Sequence, residues 1–522
     1  MHFIRSVAAI ALASICLLGI TDIGNTHTRT APKLRAENHK LSPLETVSGQ
    51  ATSPSKLAGQ MPESFDQDVA KAVADIDRIE ADTLSQMNRT SLDRQGRVHT
   101  LGKLLLYDKH LSVNQNEACS FCHMPETGFT GPMQSLNGTT VSYPGSVRTR
   151  FSNRKPQSYM YAPFAPVLHY NELQGDFVGG NFWDMRASGY RLQNPSAEQA
   201  QGPPTNPVEM GLPDSACVAY RLSKAPYRKL FETVWGADSF TIQWPRDVQK
   251  VCATPAPPPE NDQYPVHLDP AGRGRADHVY DAFGLSISAY EFSPEVSPFT
   301  SKYDYVQQEK DKFTPQEQLG YELFRGKARC NECHRDGGPG EEPLFTDFTA
   351  SNLGVPRNPG LQIYYEGRSD QRGYSPNPAG GSYVDTGVGN FLRTLKSDSG
   401  QLNPDSNWTK LAPKFDAKFQ VPTLRNVDMR PTPEFVKAYM HNGYFKNLKE
   451  VVHFYNTRDV LPKCGVGDPG EKVTCWPEAE NSTNINKKQL GNLKLTDQEE
   501  DALVAFLKTL TDGYAIPGKT AK

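Results

Sequence analysis

The chain has 522 residues, of which 22% are charged and 37% are hydrophobic, and its formal net charge at pH 7 is −3. This length exceeds that of one small domain and favours two or three. The slightly negative charge argues against a nucleic-acid-binding surface. Beyond the N-terminal segment no stretch is long and apolar enough to predict a membrane-spanning helix, so we expect no integral membrane domain.

The N-terminal residues 1–25 predict an export signal. Arg5 is followed by an apolar run from Val7 to Ile20, which has the length of a signal-peptide core and falls short of the ~20 residues that cross a membrane. An uncleaved anchor stays an alternative, because no clear Ala-x-Ala cleavage site follows. Residues 26–60 are rich in Ser, Thr, Pro and Lys and predict a flexible leader. We therefore expect export to the periplasm.

The segment after the leader predicts two helices. Apolar residues recur at helical spacing at Val69, Val73, Ile76 and Ile79. A short apolar helix from Leu101 to Asp108 then precedes the first of two repeated cysteine motifs. The repeated motifs define the chemistry of the chain.

Two Cys-x-x-Cys-His runs are the most informative feature of the sequence. They are Cys119-Ser120-Phe121-Cys122-His123 and Cys330-Asn331-Glu332-Cys333-His334. In such a run the two thiols can bond to the vinyl groups of one haem, and the adjacent imidazole reaches the iron. A zinc site or a thioredoxin-like pair is the alternative, but neither requires His directly after the second Cys. Two copies predict two covalently bound c-type haems, with His123 and His334 as iron ligands.

Four further cysteines follow the apolar N-terminal run, which itself contains Cys16. They are Cys217, Cys252, Cys464 and Cys475. An even remainder in an exported protein predicts disulfides. Proximity along the chain favours Cys217 with Cys252 and Cys464 with Cys475, while other pairings stay open.

The rest of the chain predicts two helical domains. A Pro-rich insert at 254–270 precedes an apolar helix at 282–290, and residues 293–312 show no clear apolar period, so the boundary is placed near residue 300. We expect a mainly α fold of two cytochrome c-like haem domains, at 61–300 and 301–522, with long irregular loops.

Two helix starts are predicted in the second domain. Thr314-Pro315 with Glu317, and Thr496 with Glu499, have the spacing of capping boxes. The Gly- and Pro-rich stretch 335–382 between them predicts an irregular segment that wraps the second haem.

Several further motifs, in a fixed order, carry a family resemblance. They are Leu101-Gly102-Lys103, Gly128-Phe129-Thr130, Phe182-Trp183-Asp184 with Arg186, Gln199-Ala200 with Pro203, Asn206-Pro207-Val208-Glu209-Met210, Val421-Pro422-Thr423-Leu424-Arg425-Asn426 and His441-Asn442-Gly443. Together with the two haem motifs, they make most of residues 101–510 similar to the bacterial di-haem cytochrome c peroxidase superfamily, in its MauG-like branch. The resemblance implies an enzyme, a di-haem peroxidase.

The resemblance implies that the first haem reacts with peroxide. That reaction needs an open iron face and an acid/base group beside it. The family motif gives the acid/base role to Glu209, with Gln199 and Pro203 shaping the same pocket; a solvated surface carboxylate is the alternative. His169 lies where many members have a His that blocks this haem, but its surroundings differ, so we expect it not to bind iron.

Trp183 is implied to lie between the haems and to carry electrons between them. Its alternative role is that of a buried core aromatic residue. The stretch from Trp183 to Gln199 is longer than in typical members, so we expect the local backbone to differ.

Tyr455 falls where MauG-like members have a tyrosine ligand to the second haem and other peroxidases have a methionine. A phenolate stabilises ferric iron, whereas a thioether raises the potential. Tyr455 therefore predicts a His/Tyr second haem of low potential, suited to storing oxidising equivalents. Met440 and His453 stay as alternative ligands, and Tyr455 could be a core aromatic residue. His441 is expected to order a loop.

The family commonly holds a calcium ion between its domains, through an Asn side chain, backbone carbonyls and water. Here the usual Arg-Asn-x-Pro reads Asn153-Arg154-Lys155-Pro156, and the usual Thr-x-Pro before Tyr-x-His is disrupted between Arg430 and Tyr439. Calcium stays the expectation, with Asn153 as the candidate ligand.

The implied partners are hydrogen peroxide and an electron donor that the sequence does not identify, either a small redox protein or a protein or small-molecule substrate. MauG itself carries a Trp two residues before its second haem cysteine, where Ala328 stands here, so maturation of methylamine dehydrogenase is not implied. The alternatives are a Met-ligated peroxidase fed by a small cytochrome or cupredoxin, and a non-catalytic di-haem electron carrier. A homodimer stays open.

Overall fold

Helices and irregular loops make up most of the chain, as expected. The computed structural model describes residues 61–89, 91–338, 340–395 and 404–518. The predicted export signal, the leader and Cys16 lie outside the described residues. Of the described helices, none is long and apolar enough to cross a membrane.

Fourteen α-helices and two short antiparallel strand pairs are found in the described residues. The helices are α1 (Phe65–Arg89), α2 (Arg94–Tyr107), α3 (Gln134–Gly138), α4 (Pro195–Ala200), α5 (Gly202–Thr205), α6 (Ala216–Leu222), α7 (Arg228–Trp235), α8 (Val248–Val251), α9 (Pro270–Glu291), α10 (Lys302–Gln307), α11 (Pro315–Arg325), α12 (Val388–Thr394), α13 (Leu448–Thr457) and α14 (Asp497–Lys508). The strands are β1 (His169–Asn171) with β2 (Asp176–Val178), and β3 (Ala350–Ser351) with β4 (Phe419–Gln420). His169 lies opposite Val178, and Ala350 lies opposite Gln420.

The two predicted capping boxes are present. Thr314 and Glu317 start α11, and Thr496 and Glu499 start α14, each with both reciprocal hydrogen bonds. A third box was missed: Ser301 and Asp304 start α10, in the segment 293–312, which shows no clear apolar period. α10 has only six residues, too few for an apolar period to show, although the Ser-x-x-Asp spacing was a usable signal.

One pair of crossing helices supports each half of the chain. α2 packs on α9 in the first half, and α11 packs on α14 in the second. Each crossing has a glycine at the contact: a β-carbon on Gly102 would overlap the carbonyl oxygen of Ser286, and one on Gly320 would overlap that of Ala502. The backbones therefore approach too closely for any other residue.

Gly102→Ala tests this packing. We expect it to lower the denaturation midpoint of the holoprotein by the equivalent of about 1–3 kcal/mol, because α2 and α9 must move apart. Gly274→Ala on α9 is the matched control, since a β-carbon there meets no atom within 4 Å and alanine favours a helix. Equal midpoints for the two variants would contradict the close approach.

Two hydrophobic cores follow one another along the chain. The first gathers buried residues from Ala72 to Val296, including Phe121 and Phe283. The second gathers buried residues from Tyr303 to Leu510. The first haem motif packs on the first core through Phe121, and the second motif on the second core through Cys330. The division into domains at residue 300 stays a prediction.

Both disulfides favoured by chain proximity are confirmed. Cys217 is bonded to Cys252, and Cys464 to Cys475.

The irregular stretch 335–382 contacts more than the second haem motif. Its 3-10 turn at Gln362–Tyr365 packs with Val141 of the first half, so this stretch also joins the two halves.

Candidate functional site

The first haem motif opens into a cavity of about 1190 Å³. Cys119, Cys122 and His123 line it, and both cysteines are free thiols. Burial, with smaller contributions from Glu209, Glu291 and Glu117, raises the pKa of Cys119 to about 12, so the thiol is protonated. Such a site suits a large apolar group better than a reactive thiol pair.

His123 is held by the backbone. Its Nδ1 donates to the carbonyl of Phe129 at 2.9 Å, and Phe129 adopts a φ of 51°, which is rare for a bulky residue. This turn aims the carbonyl at the ring. Burial lowers the pKa of His123 to about 4, so the imidazole is neutral and Nε2 keeps a lone pair that is available to a metal.

Glu209, Gln199 and Pro203 line the same cavity, as the resemblance implies. Asn206 Nδ2 donates to Glu209 Oε1 at 2.6 Å and orients the carboxyl. Burial raises the pKa of Glu209, while Arg186 and the Asn206 hydrogen bond oppose the rise. The structure therefore places a titratable carboxyl in the cavity that His123 also lines.

Two other buried carboxyls line this cavity and were missed by sequence reasoning. Glu117 pairs with Arg148 at 3.1 Å, and Glu291 on α9 accepts a hydrogen bond from Ser196 on α4. Burial raises the pKa of Glu291 to about 8. A lone Glu gives no sequence signal of burial, because the partners of both lie 31 or more residues away.

The second haem motif repeats the geometry of the first. Cys330, Cys333 and His334 line a cavity of about 1260 Å³. His334 Nδ1 donates to the carbonyl of Phe345 at 3.0 Å, and Phe345 has a φ of 53°. Burial also lowers the pKa of His334, so this imidazole too is prepared for a metal at Nε2.

Tyr455 and Met440 both line the second cavity, whereas His453 does not. The two ring nitrogens of His453 contact Glu500 Oε1 and the carbonyl of Val473, each at 3.0 Å. Both ring nitrogens of His453 are therefore engaged in hydrogen bonds. His453 has no free lone pair with which to bind the iron of the second haem. Burial raises the pKa of Tyr455, with the Cys330 and Cys333 sulfurs adding to the rise and Arg458 opposing it.

Trp183 lies between the two sites. It lines both cavities, and no other described residue does. The indole Nε1 donates to the carbonyl of Lys155 at 3.0 Å, and the ring meets His441 edge to face at 6.4 Å. His441 in turn stacks on Phe419, and its ring hydrogen-bonds to neither cavity's cysteines, in keeping with a role in ordering the loop.

The loop between Trp183 and Gln199 has its own support. Glu198 accepts hydrogen bonds from the backbone nitrogens of Gly189, Arg191 and Leu192, at 2.7, 2.7 and 2.9 Å. This carboxyl holds the extra residues in place. His169 is exposed on β1 and lies outside the first cavity.

The residues present fit two haem groups. In each half a partly open space, of over 1000 Å³ when the adjoining solvent is included, is bordered by two free thiols and one oriented, neutral imidazole. In the first cavity the buried hydroxyl of Tyr159 has no hydrogen-bond partner among the described residues. A porphyrin would fill such spaces, and the thiols are placed on its border.

The residues do not fit a calcium ion. Asn153, the candidate ligand, places its amide nitrogen 3.5 Å from the Tyr383 hydroxyl. Beside it Arg154 pairs with Asp385 at 2.6 Å and with Asp184 at 2.7 Å, so both nearby carboxylates are already neutralised. Cationic side chains thus lie beside the candidate ligand, where hard oxygen donors would be needed, and calcium binding stays a prediction.

Known proteins with a similar sequence or fold are di-haem proteins. A family model described as di-haem cytochrome c peroxidase matches residues 97–312. The chain is 32% identical over 417 residues to the methylamine utilization protein MauG of Paracoccus denitrificans, which covers 79% of this chain and 88% of that protein. It is 27% identical over 421 residues to the cytochrome-c peroxidase IdrP1 of Denitromonas iodatirespirans, covering 79% and 80%. The crystal structure of the diheme peroxidase BthA from Burkholderia thailandensis has a similar fold, with a TM-score of 0.58 and 24% identity over 81% of this chain and 90% of that chain.

Proposed function

The chain belongs to the di-haem cytochrome c peroxidase family, and from this premise we propose that it is a periplasmic peroxidase of MauG-like ligation. Membership makes it an oxidoreductase with two haem cofactors and peroxide-linked chemistry. We further propose that peroxide reacts at the first haem and that the second exchanges electrons with it through Trp183. The overall reaction takes H₂O₂, two electrons and two protons to two molecules of water.

Covalent attachment is proposed for both haems. Cys119 and Cys122 would hold the first, and Cys330 and Cys333 the second, with His123 and His334 beneath the irons. When bound, the haems supply iron that takes up peroxide and exchanges electrons. The two backbone carbonyls that fix the imidazoles would keep both rings in the tautomer that leaves Nε2 free.

Glu209 is proposed to move the proton. As a carboxylate it would accept the proton of the near oxygen of hydrogen peroxide and return it to the far oxygen, which then leaves as water. Asn206 would hold the carboxyl in place throughout. The support for this role is the hydrogen bond of 2.6 Å and the position of Glu209 in the cavity that His123 also lines.

Tyr455 is proposed as the ligand that binds the iron of the second haem together with His334. Its ring lines the cavity with His334. Burial raises the pKa of its hydroxyl, and Arg458, the C-cap residue of the same helix, partly opposes the rise. A phenolate would stabilise the oxidised metal and lower its potential. The donor that restores the electrons is proposed to be a small redox protein or an organic substrate, and the export signal predicted from residues 1–25 supports the periplasm.

The observation that carries this proposal is the position of Trp183, which alone among the described residues borders both cavities. In Trp183→Phe we expect the spectral response of the second haem to peroxide to slow at least about tenfold, a barrier change of about 1.4 kcal/mol, because phenylalanine is harder to oxidise. Stopped-flow absorbance after mixing with one equivalent of peroxide measures it.

Trp244→Phe is the matched control. Trp244 packs on Tyr220 at 5.3 Å and lies in neither cavity, so its substitution should leave the rate unchanged. If Trp183→Phe reacts at the wild-type rate, electrons do not pass between the haems through Trp183. If the second haem of the wild type never responds to peroxide, the two haems do not share oxidising equivalents.

A further inference from the structure

A buried ammonium group joins the two halves of the chain. Lys437 is 5% exposed, and its Nζ donates to the carbonyls of Thr127, Asn426 and Met429 at 2.9, 3.1 and 2.9 Å. Thr127 follows the first haem motif, whereas Asn426 and Met429 follow the second. Three acceptors match the three N–H donors of a charged lysine, while a neutral amine would turn its lone pair toward one carbonyl.

A second buried lysine lies nearby. Lys155 is 8% exposed, and its Nζ donates to Thr130 Oγ1 at 2.8 Å and to the carbonyl of Pro156 at 3.0 Å. Its backbone nitrogen donates to the carbonyl of His441 at 2.8 Å. Burial lowers the pKa of both lysines, that of Lys155 to about 7. At Lys437 the three converging carbonyls oppose this effect, because they can all be satisfied only by the three N–H groups of the ammonium form.

These lysines stand in the two segments from which the family takes its calcium ligands. Lys155 lies in Asn153-Arg154-Lys155-Pro156, and Lys437 lies two residues before Tyr439. Both segments thus carry a buried lysine, and Arg154, 9% exposed, adds a buried guanidinium. Backbone carbonyls are the ligands that a hard cation prefers, but here a protein cation already occupies three of them.

We infer that the Lys437 ammonium is a built-in structural cation that holds the two haem-bearing segments together, and that this protein needs no calcium between them. The ammonium supplies the positive charge to the converging carbonyls, and its charge repels a second cation from the same place. Because the lysine is part of the chain, chelators cannot remove it. This inference does not depend on the roles proposed for Glu209, Tyr455 or Trp183.

The first test measures calcium in the full-length holoprotein by atomic emission and its thermal midpoint with EDTA or with 1 mM CaCl₂. We expect less than about 0.1 calcium per chain and midpoints that agree within about 1 °C, because a site filled by an ammonium cannot exchange. One calcium per chain, lost on chelation with a fall in the midpoint, would overturn the inference.

The second test uses Lys437→Met, which keeps the length of the side chain and removes its charge. We expect the thermal midpoint to fall by roughly 3–5 °C, because three buried carbonyls lose their donor. Lys229→Met is the control, since Lys229 is exposed on α7. An unchanged midpoint in Lys437→Met would refute the structural role. If that variant fails to fold, the calcium content of the wild type still decides the question.

Discussion

Replacing Glu209 by Gln should lower the peroxide turnover by about 10²–10⁴-fold, the range that one positioned acid/base group contributes. Glutamine keeps the shape of the side chain and can still meet Asn206, but it cannot accept the proton of the near peroxide oxygen. Steady-state peroxide consumption with a saturating artificial donor measures the change. The haem content and absorbance of the variant should match the wild type, because Glu209 binds no haem.

Glu291→Gln is the matched control for this prediction. Glu291 lines the same cavity, is buried and, like Glu209, accepts a hydrogen bond, here from Ser196, but the family motif gives it no acid/base role. We expect its turnover to fall less than about tenfold, a barrier change of about 1.4 kcal/mol. If Glu291→Gln lowered the turnover more than Glu209→Gln does, the proton would move through Glu291 on α9 and not through Glu209.

The pH dependence of kcat/KM gives an independent test of the same carboxyl. Burial raises the pKa of Glu209 above its ordinary value of 4.5. Since the carboxylate form must accept the proton, activity should be full above this raised pKa and should be lost as the pH falls through it. We expect the acid limb to lie above pH 4.5 and to disappear in Glu209→Gln. If the wild type and Glu209→Gln showed the same acid limb, the limb would belong to the titration of another group.

Removing the Tyr455 hydroxyl should change the second haem alone. In Tyr455→Phe we expect the ferric spectrum of this haem to lose the features of its sixth ligand, while the first haem stays as it is. In Tyr455→Met we expect the reduction potential to rise by a few tenths of a volt, within the span of about 0.8 V that axial ligands cover. Spectroelectrochemical titration of both variants measures these changes.

Met440→Leu is the control that separates the two ligands left open by the structure. Met440 lines the same cavity as Tyr455, and leucine keeps its bulk without the sulfur. We expect Met440→Leu to leave the spectrum and potential of the second haem unchanged. If the spectrum changes in Met440→Leu and not in Tyr455→Phe, the second haem is Met-ligated and the chain is a peroxidase fed by a mild electron donor.

The two cavities differ where their chemistry should differ. Both repeat one scaffold, in which a left-handed phenylalanine aims a carbonyl at an imidazole. The lining of the first cavity includes the carboxyls of Glu117, Glu209 and Glu291 beside Tyr159, and the lining of the second includes Tyr455 beside the carboxyls of Asp385 and Glu480. Under the roles proposed above, Glu209 acts in the first cavity and Tyr455 in the second. An acid/base group suits a reacting ligand, while a phenol suits a permanent one.

Buried charge pairs hold the region between the cavities. Arg154 bridges Asp385 and Asp184 and lowers the pKa of both carboxyls, that of Asp385 to about 2. Asp385 borders the second cavity, while Arg154 borders the first. Because one guanidinium satisfies two buried carboxylates, loss of this residue would leave both uncompensated. The cluster of Arg154, Asp385 and Asp184 therefore fixes the two cavities relative to Trp183.

Sequence reasoning reached the local features of the fold and the chemistry. The haem motifs, the capping boxes at Thr314 and Thr496, and the disulfides each depend on residues close together in the chain. It missed α10, whose six residues hide any apolar period. For calcium, the resemblance named a ligand type, whereas only the structure showed the buried side chains of Arg154 and Lys155 beside Asn153.

By itself the sequence determined that this chain has two haem-attachment motifs on capped, mainly helical segments, since such motifs act through neighbours only a few residues apart. Only the tertiary structure decided that Trp183 borders both cavities and that Lys437 gathers carbonyls from both halves. These contacts join atoms as far apart in sequence as Lys437 and Thr127, separated by 310 residues. Their formation depends on how the two cores pack, which no local pattern specifies.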